Sequence, residues 1–242
     1  MTAFAARNFK EIVRDPLTLL FGAGLPVVLI LFISLLQRSL PGGTNAAFEI
    51  GSFAPAMAVF SFSFVALFSG LLVAGDRKSA FLMRLFASPL TARDFIFGYV
   101  LPVLPIALAQ AVICFMFAAF MGLKVTGWLL FALLLLIPTA LMYTFFGLLF
   151  GSLLSDKQLG GVFSIFVNVT TWFSGTWFDT GLIGGAFKTI CNLLPFYHAV
   201  EMARAAAAGD PAGIFPHLWW VLGYAVAAGA AAVLAFRAKM KA

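Results

Sequence analysis

Six apolar runs, each about as long as a bilayer core is thick, constrain this chain more than any other feature. They occupy residues 17–37, 50–74, 95–123, 128–154, 158–178 and 217–236. A helix needs about 20 predominantly apolar residues to cross the hydrocarbon core, and very little polypeptide lies outside these runs. Composition agrees, with 63% hydrophobic residues, 10% charged residues and a mean hydropathy of +1.06, far from soluble-domain usage. The expectation is an all-α integral membrane protein with six transmembrane helices in a single domain over residues 1–242.

Charged residues before the first run, and no small-residue cleavage site after it, argue against a cleavable signal peptide. Cys114 and Cys191 are too few and too far apart for a metal site or disulfide framework. Both are read as inert filler, with a bridge from Cys191 to a second copy as the alternative. Eleven of the fifteen Lys and Arg side chains fall on one side of the six-span arrangement, and Arg38, Lys124, Lys188 and Arg204 on the other. Basic residues favour the cytoplasmic side, so both termini are expected there. The pI near 9.6 then needs no nucleic-acid partner.

Residues 1–15 read as an amphipathic surface helix. Phe9, Ile12 and Val13 recur with Phe4 and Ala5 on one side, and Arg7, Lys10, Glu11 and Arg14 occupy the other. Arg14-Asp15-Pro16 is an elbow, because a residue before proline leaves the helical region and Asp15 can cap a helix that starts on Pro16. Residues 75–94 form a cytoplasmic loop with a second short amphipathic helix. Phe81, Leu82, Leu85 and Phe86 share one arc, Arg77, Arg84 and Ser88 another, and Pro89 ends it. Thr91 to Asp94 spell a capping box for the third span. Binding lipid headgroups is the plain reading of this basic helix. Residues 179–215 hold apolar pieces too short to span, expected as re-entrant helices in the outer leaflet. One of them is expected over 196–208, stopped by Gly209-Asp210-Pro211, with Glu201 and Arg204 in position to pair.

The spans carry hydroxyls, amides and aromatics, such as Gln110, Tyr143, Thr144, Asn168, Thr170, Thr171 and Ser174, but almost no ionisable groups. Gradient-driven transporters usually keep such groups in the membrane. There is no G-x-x-x-x-G-K-[ST] loop to cradle ATP phosphates and no convincing nucleophile motif, so the chain is not expected to be an enzyme. If it moves cargo uphill, energy enters from outside the chain. Gly147-x-x-x-Gly151 permits close helix approach, and Gly160-Gly161 reads as a flexible start to the fifth span. On that span Phe163, Phe166, Trp172 and Phe173 could line an apolar cavity beside Asn168 and Thr171, whose polar groups could equally hold helices together.

Four stretches follow in order: Phe9-Lys10-Glu11-Ile12-Val13-Arg14-Asp15-Pro16, residues 75–95, Phe173-Ser174-Gly175, and Leu194-Pro195-Phe196-Tyr197-His198-Ala199-Val200 followed by Arg204 and Gly209-Asp210. Through them the chain resembles, over essentially its whole length, the membrane (permease) subunit of a type-2 ATP-binding cassette (ABC) exporter. It departs in having Asp76-Arg77 where relatives typically have Glu-Arg, which keeps the charge, and Asp179 where relatives often have proline.

The resemblance implies that the 75–94 loop holds a coupling helix docked into a cytoplasmic ABC ATPase subunit. Arg77, Phe81, Leu82, Arg84, Leu85 and Phe86 would make that contact, with Phe9 and Arg14 of the surface helix beside them. It implies a dimer with a second permease copy or paralogue, with ATP and Mg held by the ATPase subunits and neither cofactor nor metal on this chain. The substrate path would lie between the second and fifth spans, at Phe163, Phe166, Asn168, Thr171 and Trp172. The expected place is a bacterial plasma membrane, in contact with its lipids. Relatives carry drugs, peptides, lipids or polysaccharides. A non-transporting scaffold or regulatory subunit and a gradient-driven carrier are the rival readings.

Overall fold

The computed structural model describes residues 2–39, 46–79, 92–178 and 180–240, and these contain helix and no strand. The surface helix is α1 (Thr2–Arg14). It stops where Asp15 turns extended (φ −88, ψ 105) and its carboxylate accepts a hydrogen bond from the Leu17 N–H at 3.1 Å. The Arg-Asp-Pro elbow forms as read. One turn, Pro16–Leu19, leads through a π-helical turn at Leu20–Gly24 into α2 (Leu25–Ser39). The long helices α3 (Ile50–Lys78), α4 (Ala92–Phe120) and α5 (Gly127–Leu153) follow, then α6 (Asp156–Trp172), α7 (Gly185–Leu193), α8 (Pro195–Ala208) and α9 (Pro211–Met240).

Among the described residues five helices are long and apolar enough to cross a membrane: Leu20–Ser39, Ile50–Lys78, Asp94–Phe120, Gly127–Leu153 and Pro211–Ala238. The chain is an all-α, multi-pass membrane protein. Its sequence-predicted fifth span gives α6, at 17 residues shorter than the others. Helix α6 and the turn that follows it lie along α3. Its first residue pairs with the end of α3, Lys78 to Asp156 at 3.4 Å. Beyond its last, Arg204 donates both to the Gly175 carbonyl and to the Ser52 carbonyl near the start of α3.

Three local readings change. Gly160 and Gly161 lie inside α6 with open space around them; the helix starts earlier, because Ser155 and Gln158 form a capping box. The last span begins at Pro211 and not near 217, since Asp210 accepts from the Ala212 N–H at 3.1 Å and Pro211 suits a first helical position. On α1 the buried stripe is Phe4, Asn8 and Ile12, while Phe9 and Val13 are 40% and 42% exposed. Asn8 joins the apolar face because its amide donates to the Gly98 carbonyl at 3.1 Å, and Phe4 packs where a Gly98 side chain would be.

Helix α3 is the axis of the bundle, with 78% of its apolar stretch buried against 33% for the first span and 22% for the last. It meets α5 at Gly147 and Gly151, where a methyl group would collide with the carbonyl oxygens of Ala66 and Gly70. Small residues allow such backbone contact, and van der Waals packing is what holds helices together in lipid. Phe95 places the termini: its ring is 6.0 Å from Phe4 and 5.4 Å from Phe236, so both ends of the chain share one end of the bundle.

Candidate functional site

At the end that carries the termini, a buried carboxylate organises three elements. Asp76, in the last turns of α3, is 3% exposed. Its Oδ2 accepts from Arg7 Nη1 of α1 at 2.7 Å and from the Tyr99 hydroxyl of α4 at 2.9 Å. The same guanidinium donates to Asn8 Oδ1 at 2.9 Å and pairs with Glu11 at 2.6 Å. Burial by itself lowers the Arg7 pKa, but the hydrogen bond and charge of Asp76 outweigh it and leave it raised. The sequence reading had placed Asp76 among the charges of a solvated loop. It is instead a helix residue that fixes α1 to the stem from which that loop departs.

Arg77 points to another neighbour and donates to the carbonyls of Gly151 at 2.9 Å and Leu154 at 3.2 Å. These are acceptors at the open C-terminal end of α5, where a cation is also favoured by the helix dipole. Phe9 and Arg14 are exposed on α1. The other expected coupling residues, Phe81, Leu82, Arg84, Leu85 and Phe86, lie outside the described residues, as does the start of the 91–94 capping box.

The five residues assigned to a substrate path separate onto two faces of α6. Phe163 and Phe166 are buried in an aromatic cluster with Tyr143, Phe146 and Phe150 of α5 and Phe196 of α8, ring centroids 5.5–6.2 Å apart among the contacts of Phe166. Asn168 and Trp172 are exposed, and Thr171 is half-buried. The Asn168 amide donates to the Ser164 carbonyl within its own helix at 2.8 Å, and the Thr171 hydroxyl likewise bonds to the Val167 carbonyl. A buried polar bridge between α3 and α6 is made by Ser63 and Thr170, 3.1 Å apart, a pair that no sequence motif marks.

At the opposite end, Arg204 of α8 pairs with Glu201 at 2.7 Å, as the spacing suggested. It also ties α3 to the turn after α6 through the two carbonyls already described. His198 and His217 face each other at 2.7 Å between Nδ1 atoms, and His198 Nε2 lies 2.9 Å from the Asn192 carbonyl. A carbonyl only accepts, so Nε2 carries the His198 proton; in a neutral ring its Nδ1 then accepts from His217. Burial and the neighbouring His217 hold the His198 pKa below the ordinary imidazole range, against the Asn192 contact and Glu201. Cys191 is fully buried, which favours filler over a bridge to a second copy.

This order of surface helix, spans, loop and far-end helices has a counterpart. The family model described as ABC-2 type transporter matches residues 1–207. The chain belongs to the ABC-2 type transporter membrane family. It is thus a membrane transport component, as the resemblance implied. No curated protein matches it. The matched segment runs from α1 to the end of α8, so it contains the Asp76 cluster, the faces of α6 and the Arg204 tie.

Proposed function

We propose that this ABC-2 chain is the permease of an ATP-driven exporter, working as a dimer with separate cytoplasmic ATPase subunits. One observation carries the proposal. The Arg7–Asp76–Tyr99 cluster joins α1 to the stem of the 75–94 loop, the two segments a cytoplasmic ATPase would touch. A push on either is thereby delivered to α3, the helix most buried in the bundle. The absence of a phosphate-binding loop from this sequence supports placing the nucleotide chemistry on a partner.

Sidedness follows from charge. The end that bears the termini also bears Arg7, Lys10, Arg14, Arg77, Lys78 and Lys157, which argues for the cytoplasm. Termini at one end imply an even number of crossings, so α6 and the turn after it make the sixth. Helices α7 and α8 then form the outer-leaflet re-entrant region. On α6 the exposed face with Asn168 and Trp172 is the part free to meet a second permease and the cargo. Phe163 and Phe166 stiffen that face from behind, and Thr171 stands at its border.

The test is alanine substitution of the 75–94 loop in the complete complex. Phe81→Ala with Phe86→Ala should leave the chain inserted while the ATPase no longer co-purifies and transport is lost. Truncating aromatic anchors commonly costs about 2 kcal/mol or more each. Normal co-purification and transport by the double variant would reduce the loop to a lipid anchor.

A further inference from the structure

The first span contains a break that the proposed role does not use. Between Pro16–Leu19 and α2 the backbone opens into the π-helical turn Leu20–Gly24. Pro26 then brings no N–H to the Gly22 carbonyl, its acceptor in a regular α-helix. π-Turns inside α-helices recur at functional sites and where helices kink. Gly22 is buried, and the Nε2 of Gln110 on α4 occupies the space where a Gly22 side chain would project. Gln110 itself is 2% exposed, near the middle of its span, and neither its Nε2 nor its Oε1 has a hydrogen-bond partner. A buried amide without partners is costly and calls for an explanation.

We infer that the first span pivots at Leu20–Gly24, and that the Gln110 amide is the latch that engages the opened backbone of this turn in the second position. The two sides of the turn are built differently. Below it, α1 is pinned by the Arg7–Asp76 pair and by Phe4 and Asn8 on Gly98. Above it, α2 buries Ile30 and Ile33 but leaves Val28, Phe32, Leu35 and Leu36 exposed, and a single exposed hydrogen bond, Arg38 to the Met121 carbonyl at 2.7 Å, ties its far end. A lower side held by a buried ion pair and an upper side held by one face and one exposed bond place the motion at the turn between them. In the position described here the latch is open. Engagement would give the amide a partner and tilt α2 relative to α1.

The test uses the permease alone in lipid nanodiscs, so it does not depend on an ATPase or on transport. Spin labels at Leu17→Cys and Leu35→Cys straddle the turn at exposed positions, about 27 Å apart along a straight helix; the native Cys114 and Cys191 are buried. Pulsed electron-resonance spectroscopy should find two distances in the otherwise native chain. Gln110→Met, which removes the latch at similar volume, should leave one distance and raise the unfolding midpoint. Pro26→Ala, which restores the N–H, should also leave one distance, through a different change. A single distance in the native chain, or two distances that both substitutions leave in place, would overturn the hinge. A lowered unfolding midpoint for Gln110→Met would show that the amide supports the resting structure and is no latch.

Discussion

Removing the partners of Asp76 one at a time and together should reveal a coupled, buried joint. Asp76 is 3% exposed, but Arg7 is 37% exposed, so the two ends of the pair respond differently. Truncating one member of a fully buried pair costs about 3–5 kcal/mol, because the other is stranded. In Asp76→Ala the stranded Arg7 can partly rehydrate and still holds Glu11, which reduces that part to about 1–2 kcal/mol after allowance for solvent. The Tyr99 hydroxyl, buried and without its acceptor, adds about 1–2 kcal/mol. The expected loss for Asp76→Ala is therefore about 3 kcal/mol, and for Arg7→Ala, which strands the buried carboxylate with only the Tyr99 hydroxyl, about 3–4 kcal/mol. The double variant strands no charge and should lose less than the sum, with a coupling energy of about 1–3 kcal/mol. Reversible unfolding of the purified permease in mixed micelles, followed by circular dichroism, measures each value. Additive losses, or a stability unchanged by Asp76→Ala, would refute the joint.

Two further expectations follow from particular contacts. Gly151→Ala should destabilise by about 1–3 kcal/mol, because its methyl meets the Gly70 carbonyl and backbone cannot retreat cheaply, whereas Gly160→Ala, in open space within α6, should stabilise by about 0.5–1 kcal/mol; thermal midpoints in the same micelles compare them. The depressed pKa of His198 means the folded chain resists a proton that the unfolded chain accepts, so stability should fall as pH drops below about 6.5, and unfolding of His198→Asn between pH 7.5 and 5 should show a flatter dependence.

Much of this architecture is legible in the sequence. Apolar length gave five of the six expected spans, Asp15-Pro16 the elbow, Pro195 and Gly209 the limits of α8, and the glycine spacing of α5 its close contact with α3. These signals are local, and each acts through covalent geometry or one helix face. What was missed depends on partners distant in sequence. Asp76 sits among basic residues and reads as solvated until Arg7, 69 positions earlier, folds back onto it. Asn8 reads as polar surface until the Gly98 carbonyl supplies an acceptor. The division of α6 was open to helical periodicity, since Leu159, Phe163, Phe166 and Thr170 fall on its buried face and Gly161, Ser164, Asn168 and Trp172 on its exposed one. Grouping the aromatics by chemistry instead of by angle merged two faces into one.

Native mass spectrometry of the tagged chain, extracted gently from its own membrane, tests the proposed function most directly. The expected assembly holds two permease subunits, either two 26.0 kDa copies or one with a paralogue, together with two subunits that hydrolyse ATP. The chain alone, or an assembly from that membrane with no ATP-hydrolysing subunit, would contradict it.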